Sequence, residues 1–228
     1  MFNNSYFWLM LPAFIISLYA QVKVSSAFNK YSKVFSKRGL TGLEAAHNVL
    51  SSNGVKGVSI EHIKGDLNDN FDPRDNTIRL SDRVYDSKSI AALGVAAHEA
   101  GHAVQHAENY TFLKIRSFLV PVAQFGSMAA MPIFFIGLLF PIEYSFLLNI
   151  GIMLFSFAVL FQIITLPVEF DASRRALVSL ENEGMLDKEE LKSANKVLKA
   201  AAFSYIAAML VSLISLVRLI LISNSRRR

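Results

Sequence analysis

Four long apolar runs divide this chain. They cover residues 6–22, 118–140, 146–166 and 202–222, and each has about the length that an α-helix needs to cross the hydrocarbon core of a bilayer. Only the short segment PIEYS joins the second run to the third. The pattern predicts a mostly α-helical membrane protein with about four transmembrane helices, two of which form a hairpin.

The polar segments between these runs show shorter periodicities. VSIEHI (58–63) and NTIRLS, which begins at Asn76 and ends at Ser81, alternate apolar and polar residues as half-buried strands do. A turn-rich stretch, GDLNDNFDPRDN, separates them. Residues 89–108 are rich in Ala and contain no Pro, which favours a helix that packs closely against a neighbour. A small α+β domain is therefore expected beside the membrane helices.

Helix boundaries are marked at two further places. Thr41 and Glu44 have the spacing of a capping box, and Gly54 can close the helix that they open. Asp187 and Glu190 repeat this spacing and are expected to open a second helix.

Composition supports the membrane assignment. The 228 residues are 53% hydrophobic and their mean hydropathy is +0.37, which is too apolar for an ordinary soluble domain. The formal net charge of +5 comes from basic residues that cluster beside the apolar runs, so no nucleic-acid partner is expected.

Cysteine is absent, which excludes disulfides, thiolate metal sites and cysteine nucleophiles.

The basic residues predict an orientation. No Lys or Arg precedes the first apolar run, whereas five follow it: Lys23, Lys30, Lys33, Lys37 and Arg38. The positive-inside rule therefore puts the N-terminus outside and residues 23–116 in the cytosol. The first run lacks the basic start of a signal peptide, so we expect a retained anchor, with a cleaved signal peptide as the alternative.

The C-terminal end conflicts with this orientation. Four crossings would place Arg226, Arg227 and Arg228 outside, against the positive-inside rule. Either the last run does not cross completely, or the first three runs are arranged differently. Arg218 lies near the end of the last run, where its side chain is expected to reach the lipid headgroups.

The Ala-rich segment carries the motif His-Glu-x-x-His. His98 and His102 are four residues apart, so both imidazoles lie on one helix face and can hold one cation. Glu99 lies one step around the helix, where its carboxylate can reach a metal-bound water without being a ligand. The motif predicts a zinc site with Glu99 as the general base; a helix with ordinary exposed histidines is the alternative.

The other histidines are not expected to bind this metal. His106 follows His102 by four residues, but eight residues of helix separate it from His98, a rise of about 12 Å. A three-histidine site would need a glycine turn after the second histidine, and the sequence AVQ provides none. His47 and His62, on a predicted helix and a predicted strand, are expected to be ordinary histidines as well.

A zinc site with two histidines needs a third ligand, and a carboxylate is expected. Glu143 lies in the predicted external turn, and the glutamates within 181–190 lie in a charged, solvated stretch. Glu169 comes directly after the third apolar run, where the chain returns to the side of the motif and where Pro167 predicts a new or kinked helix. Glu169 is the predicted third ligand; a carboxylate that stabilises a helix start is the alternative.

Three segments together resemble a known family. They read FDPRDNTIRLSDRVYDSKSIAALGVAAHEAGHAVQHA, LPVEFDASRRAL and KVLKAAAFSYIAAML, in this order, with a membrane hairpin between the first two. They resemble the YugP-like neutral zinc metallopeptidases, small bacterial membrane proteins similar in plan to the HtpX and prenyl-protein proteases of the gluzincin type. The resemblance covers nearly the whole chain. It implies that His98, His102 and Glu169 bind one zinc ion per chain and that Glu99 is the general base.

The resemblance also implies that NTIRLS is an edge strand along which an extended peptide substrate lies. The HtpX-like proteases have an aspartate four residues after the glutamate ligand, whereas this chain has Ser173 there. Asp171 is the nearest acid, and it can orient a zinc-bound histidine or form a surface ion pair with Arg175. A donor to the transition-state oxyanion is expected among Arg174, Arg175 and Tyr205.

The predicted function is that of a membrane-embedded zinc metalloendopeptidase. It would hydrolyse peptide bonds with a zinc-activated water and Glu99 as base, on the cytosolic side of a bacterial plasma membrane, in the turnover of membrane or misfolded proteins. Two alternatives stay open: a non-catalytic zinc-binding membrane scaffold or regulator, and a metalloprotease that cleaves within the membrane.

The predicted organisation has five parts. Together they form a mostly α membrane protein with a small zincin-like α+β catalytic domain in the cytosol. The parts are an N-terminal transmembrane anchor (1–22), a cytosolic part with the metallopeptidase motif (23–116), a transmembrane hairpin (117–167), a cytosolic helical part with the third zinc ligand (168–200), and a C-terminal transmembrane helix with a basic tail (201–228).

Overall fold

The computed structural model describes residues 8–226, apart from the side chain of Ile142. This part of the chain is mostly helical and contains one small sheet. The helices are α1 (Met10–Tyr31), α2 (Gly42–Ser52), α3 (Ile90–Ala107), α4 (Thr111–Leu139), α5 (Phe146–Asn182) and α6 (Lys188–Arg226). The strands are β1 (Ser59–Ile63), β2 (Asn70–Asp72) and β3 (Thr77–Ser81).

Four of the described helices are long and apolar enough to cross a membrane: α1, α4, α5 and α6. They correspond to the four apolar runs, so the predicted number of membrane helices is confirmed. The first two residues of the first run, 6 and 7, lie outside the described residues. Large apolar side chains such as Phe118, Met128 and Leu139 are exposed on these helices, as a lipid-facing surface requires.

No new helix starts after Pro167, so that part of the prediction of a new or kinked helix is wrong. α5 is continuous from Phe146 to Asn182 and contains Pro167 in its interior. A proline removes one backbone donor, but helices of membrane proteins tolerate this loss where neighbouring groups satisfy the freed carbonyl. Glu169 therefore lies inside a long helix, so it does not act as the carboxylate of a helix start.

The chain folds into two compact units. The described residues of the first, the membrane unit, are 8–21, 115–166 and 204–226; the second, the polar unit, contains Val22–Lys114 and Pro167–Phe203. The polar unit is thus assembled from two segments that are distant in sequence.

Small residues bring α4 and α5 close together in the membrane unit. A Cβ added to Gly126 would lie 2.8 Å from the carbonyl oxygen of Leu154, and one added to Gly151 would lie 2.9 Å from the Cβ of Phe134. Close backbone approach at small residues is a main source of helix association in lipid. These glycines therefore fix the hairpin that the sequence predicted.

The end of α6 contacts the end of α4. The guanidinium of Arg226 donates hydrogen bonds to the carbonyl oxygens of Gly137 and Phe140, and the last carbonyls of a helix lack partners within the helix itself. α6 is one continuous helix up to this contact. α6 therefore extends within the membrane unit as far as the end of α4.

Both predicted capping boxes are present. Thr41 accepts from the backbone N–H of Glu44, whose carboxylate accepts from the Thr41 backbone N–H. Asp187 and Glu190 exchange the same pair of hydrogen bonds at the start of α6. Gly54 follows α2 with a φ of +67°, a conformation that glycine adopts without strain.

The sheet of the polar unit has the strand order β1-β3-β2. β1 pairs with β3 in parallel along all of Thr77–Ser81, and β2 pairs with β3 antiparallel. The predicted edge position of NTIRLS is therefore wrong, because β3 is the central strand. β2 occupies the turn-rich stretch, where Asn70 and Asp72 disfavour a strand and hid it from the sequence pattern.

α3 is buried in the polar unit on almost all sides. Its small residues are fully buried, among them Ala96, Ala97 and Ala100, and α2 and the sheet pack against it. The helix spans Ile90–Ala107, where the sequence predicted one over 89–108. An Ala-rich helix suits this central position because neighbouring backbones can approach it closely.

Candidate metal centre

Three side chains from two helices converge in the polar unit. His98 and His102 come from α3 and Glu169 comes from α5, and one ligand atom of each lies within 4.8 Å of the others. The Nε2 atom of His98 is 3.3 Å from Oε2 of Glu169, and the Nε2 atom of His102 is 3.5 Å from the same oxygen. The structure thus brings together the three residues that the sequence predicted as ligands.

Two of the three distances between these atoms fit a tetrahedral zinc ion. Zinc binds His nitrogen and carboxylate oxygen at about 2.0–2.2 Å in tetrahedral geometry, so two ligand atoms of one ion are about 3.3–3.5 Å apart. The two N···O distances agree with this separation. Two imidazoles and one carboxylate, with a fourth position left for water or substrate, are also a ligand set that catalytic zinc uses.

Burial gives a second reason for a cation at this place. Glu169 is 1% exposed and His102 is 8% exposed. A buried carboxylate is costly unless a charge or strong hydrogen bonds compensate it. A divalent cation between the three side chains supplies that compensation.

A close helix crossing delivers Glu169 to the histidines. A Cβ added to Gly101 would lie 2.8 Å from the carbonyl oxygen of Ala172, so α3 and α5 touch backbone to backbone between the two ligand-bearing turns. Ala172 is one helical turn beyond Glu169, and Gly101 directly precedes His102. A glycine is required here because any larger residue would separate the two helices.

Each histidine uses its second ring nitrogen for a hydrogen bond within the polar unit. Nδ1 of His98 lies 3.2 Å from the hydroxyl oxygen of Ser173. Nδ1 of His102 lies 3.1 Å from Oε1 of Gln105. Ser173 is the residue that stands where the HtpX-like proteases have an aspartate, and its hydroxyl takes the contact that the sequence left unassigned.

Asp171 lies one step further from the histidines. Its carboxylate accepts a hydrogen bond from the Gln105 side-chain amide at 2.9 Å and also pairs with Arg174 and Arg175. The predicted ion pair between Asp171 and Arg175 is therefore present. Asp171 is also linked to His102, because the Gln105 side chain contacts both residues. Sequence reasoning missed Gln105, although its spacing of three from His102 on a helix was the available signal.

Glu99 is buried beside this cluster. Burial, together with the nearby carboxylates of Glu169 and Asp69, raises the pKa of Glu99 to about 7, while His98 and the backbone N–H of Phe71 oppose the rise. A divalent cation at the cluster would favour the charged form and lower this pKa. The value near neutral pH therefore belongs to the metal-free protein.

The remaining histidines lie away from the cluster. His106 is exposed, with its ring centroid 5.8 Å from that of Phe71. His62 is 2.8 Å from an Asp82 carboxylate oxygen, and His47 is exposed on α2. These positions agree with the roles that the sequence assigned to them.

The three predicted oxyanion donors are placed differently. Arg174 is mostly exposed and paired with Asp171. Arg175 is largely buried and pairs with Asp171 and Glu108. Tyr205 is half-buried in α6 and belongs to the membrane unit. Their assignment as oxyanion donors stays a prediction.

The match to a known family is extensive. A model of the family described as "Putative neutral zinc metallopeptidase" matches residues 6–224. The chain belongs to this family. "Putative membrane protease YugP" of Bacillus subtilis (strain 168) is 46% identical over 217 residues, which are 95% of this chain and 96% of that protein. No solved structure shows a significant match.

Family membership confirms part of what the sequence predicted. The chain is a zinc metallopeptidase, and the resemblance to the YugP-like proteins is confirmed. The family implies zinc, and His98, His102 and Glu169 form a group that can hold such an ion. Together with the four apolar helices, the likeness to a membrane protease indicates a membrane protein.

Proposed function

We propose that the protein is a membrane-embedded zinc endopeptidase that binds one zinc ion through His98, His102 and Glu169 and uses Glu99 as its general base. The observation that carries this proposal is the convergence of a buried His-His-Glu cluster and a second buried carboxylate, Glu99, in one unit. A zinc site that only stabilises the fold has no need of the second carboxylate, whereas hydrolysis does.

The bound zinc would acidify the attacking water and polarise the scissile carbonyl. Glu99 accepts a proton from that water while the oxygen of the water attacks the carbonyl carbon. Glu99 then delivers the proton to the amide nitrogen as the C–N bond breaks. The products are a carboxylic acid, which keeps the second proton of the water, and an amine; at neutral pH they are a carboxylate and an ammonium group.

The outer strand β2 is the proposed binding edge for the substrate. β2 is an outer strand that pairs with β3, and it lies close to the site, because the backbone N–H of Phe71 favours the charged form of Glu99. An extended peptide can add to this edge as a further strand and bring its carbonyl group to Glu99. β2 thus takes the role that the sequence had given to residues 76–81.

The polar unit is proposed to face the cytosol of a bacterial plasma membrane. The basic residues after the first apolar run support this orientation, and the relative from Bacillus subtilis supports a bacterial membrane. A peptidase at this position would meet membrane proteins and misfolded chains, which are the proposed substrates. The five-part division of the chain at 22, 116, 167 and 200 is proposed on the same basis.

Replacing Glu99 with glutamine tests the proposal. Glu99→Gln keeps the size of the side chain but cannot accept the proton, so it should retain zinc at one ion per chain and lose about 10²–10⁴-fold in cleavage rate on unfolded protein substrates. Glu181→Gln, at an exposed position of α5, is the matched control and should retain activity. Wild-type protein that binds zinc but shows no Glu99-dependent cleavage would identify a non-catalytic zinc protein instead.

A further inference from the structure

Gln105 is a fully buried amide in a region that otherwise holds apolar and charged groups. Its side chain is 0% exposed and lies on α3, three residues after His102. It makes three hydrogen bonds, to Nδ1 of His102, to the carbonyl oxygen of Val168 and to the carboxylate of Asp171. We infer that Gln105 is a positioning residue that holds His102 in the tautomer required for metal binding and ties it to the backbone beside Glu169.

The orientation of the Gln105 amide follows from its partners. The carbonyl oxygen of Val168 and the carboxylate oxygen of Asp171 can only accept hydrogen bonds, and each is 2.9 Å from the same amide atom of Gln105. That atom must therefore be the nitrogen, because a flipped amide would place its oxygen against two acceptors. Both amide hydrogens are used in these two contacts.

The fixed amide determines the tautomer of His102. Only Oε1 of Gln105 is left to face the imidazole, at 3.1 Å from Nδ1, so Nδ1 carries the hydrogen and donates it. Nε2 of neutral His102 is then unprotonated, and this is the atom that lies 3.5 Å from Glu169. The lone pair that a zinc ion needs is thus in place before the metal arrives.

His98 is not fixed in the same way. Its Nδ1 faces the hydroxyl of Ser173 at 3.2 Å, and a hydroxyl can either donate or accept. Ser173 therefore permits both tautomers of His98, whereas Gln105 permits one tautomer of His102. The two ligands of the motif are unequal in the metal-free protein.

Gln105 also connects the two helices of the site. Val168 directly precedes Glu169 on α5, so the hydrogen bond to its carbonyl fixes the backbone next to the third ligand. Asp171 is held in turn by Arg175, which also pairs with Glu108 near the end of α3. One buried amide therefore sets the distance between His102 and Glu169 as well as the tautomer.

The inference rests on the proposed zinc centre, and its main test is made on the metal-free, full-length protein. Labelling the five histidines with ¹⁵N and correlating ring nitrogens with ring hydrogens distinguishes the two tautomers, and His102→Gln identifies the signals of His102. We expect Nδ1-protonated His102 in the wild type. Gln105→Leu, which keeps the bulk but removes the amide, should give a mixture of tautomers and weaken zinc binding by about 10–100-fold. An unchanged tautomer with unchanged zinc affinity would overturn the inference.

Val104→Ala is the control for general loosening of α3. Val104 is buried next to Gln105 and belongs to the apolar core of the polar unit, so its truncation should lower thermal stability and leave the His102 tautomer and the zinc affinity unchanged. A tautomer shift in Val104→Ala as large as that in Gln105→Leu would contradict the specific role of the amide.

A second pair of variants keeps the test valid if Gln105→Leu does not fold. Gln105→Glu retains an oxygen that accepts from His102. Its second oxygen replaces the amide nitrogen and cannot donate to the Val168 carbonyl or the Asp171 carboxylate, so it repels both. With Asp171→Asn added, the amide of residue 171 can donate a hydrogen bond to the carboxylate of residue 105. The double variant should therefore bind zinc about fivefold more tightly than Gln105→Glu alone. Equal affinities would count against the inference. Lack of zinc binding by the wild type would overturn the proposed function instead, since the tautomer is measured without metal.

Discussion

Replacing Gly101 with alanine places a methyl group in the crossing of α3 and α5. The new Cβ would lie 2.8 Å from the carbonyl oxygen of Ala172, whereas ordinary contacts of this kind begin at 3.4 Å. The two helices must therefore separate by about 0.6 Å, or shift sideways by a similar amount, because neither backbone can give way as a side chain would.

Gly101→Ala should change the free energy of unfolding only slightly but should weaken zinc binding strongly. Alanine gains about 1 kcal/mol over glycine in a helix interior, and the forced contact costs about 1–3 kcal/mol, so the net loss of stability should be about 0–2 kcal/mol. Ligand distances, however, tolerate only about ±0.2 Å. Because Glu169 is one turn from Ala172, a 0.6 Å shift of α5 should weaken zinc binding by about tenfold or more.

Gly94→Ala on the same helix is a matched control. A Cβ on Gly94 would lie 3.7 Å from the Cβ of Ala194, which is an ordinary contact. This variant should gain up to about 1 kcal/mol of stability and keep its zinc affinity. The assays are thermal unfolding of the metal-free protein in detergent and zinc titration against a competing chelator. Gly101→Ala with wild-type zinc affinity and a stability gain equal to that of Gly94→Ala would refute the role assigned to the crossing.

Three further predictions concern the zinc ligands, the pKa of Glu99 and the orientation of the polar unit. Glu169→Ala should lower bound zinc far more than His106→Ala, measured as metal content after dialysis; the reverse order would contradict the proposed ligands. Burial raises the pKa of Glu99 from about 4.5 to about 7, so the folded metal-free protein keeps a proton that the unfolded chain releases, and stability should fall as the pH rises from 4.5 to 7. Glu99→Gln should remove this fall, by up to about 3 kcal/mol at pH 8, as measured by denaturant unfolding at pH 5 and 8; equal pH dependence of both proteins would disprove the shift. The chain has no cysteine, so a membrane-impermeant maleimide applied to intact cells should label Glu143→Cys and not Asp86→Cys if the polar unit faces the cytosol; labelling of Asp86→Cys alone would reverse the orientation.

Local features of the fold were predictable because they depend on residues close in sequence. The capping boxes at Thr41 and Asp187 need only a side chain and a backbone N–H three residues apart. The apolar runs predicted the membrane helices in the same way, since length and composition decide whether a segment can enter a bilayer. β1 and β3 followed from alternation over five or six residues.

Errors arose where contacts distant in sequence override a local rule. Pro167 lies inside a continuous helix, so the new helix that the sequence allowed there is not formed. β2 pairs with β3 despite its poor strand residues, and this pairing makes β3 a central strand. Strand order and helix continuity both depend on what packs against the segment, which the local pattern does not contain.

The sequence alone determined the type of chemistry. A spacing of four puts His98 and His102 on one helix face, and the absence of cysteine leaves a carboxylate as the expected third ligand. The tertiary structure decided which groups surround these residues: Glu169 reaches them because Gly101 lets α5 touch α3, and Gln105 faces His102 because Val168 and Asp171 take up its amide hydrogens. These contacts join residues more than 60 positions apart, so they arise only when the two helices pack.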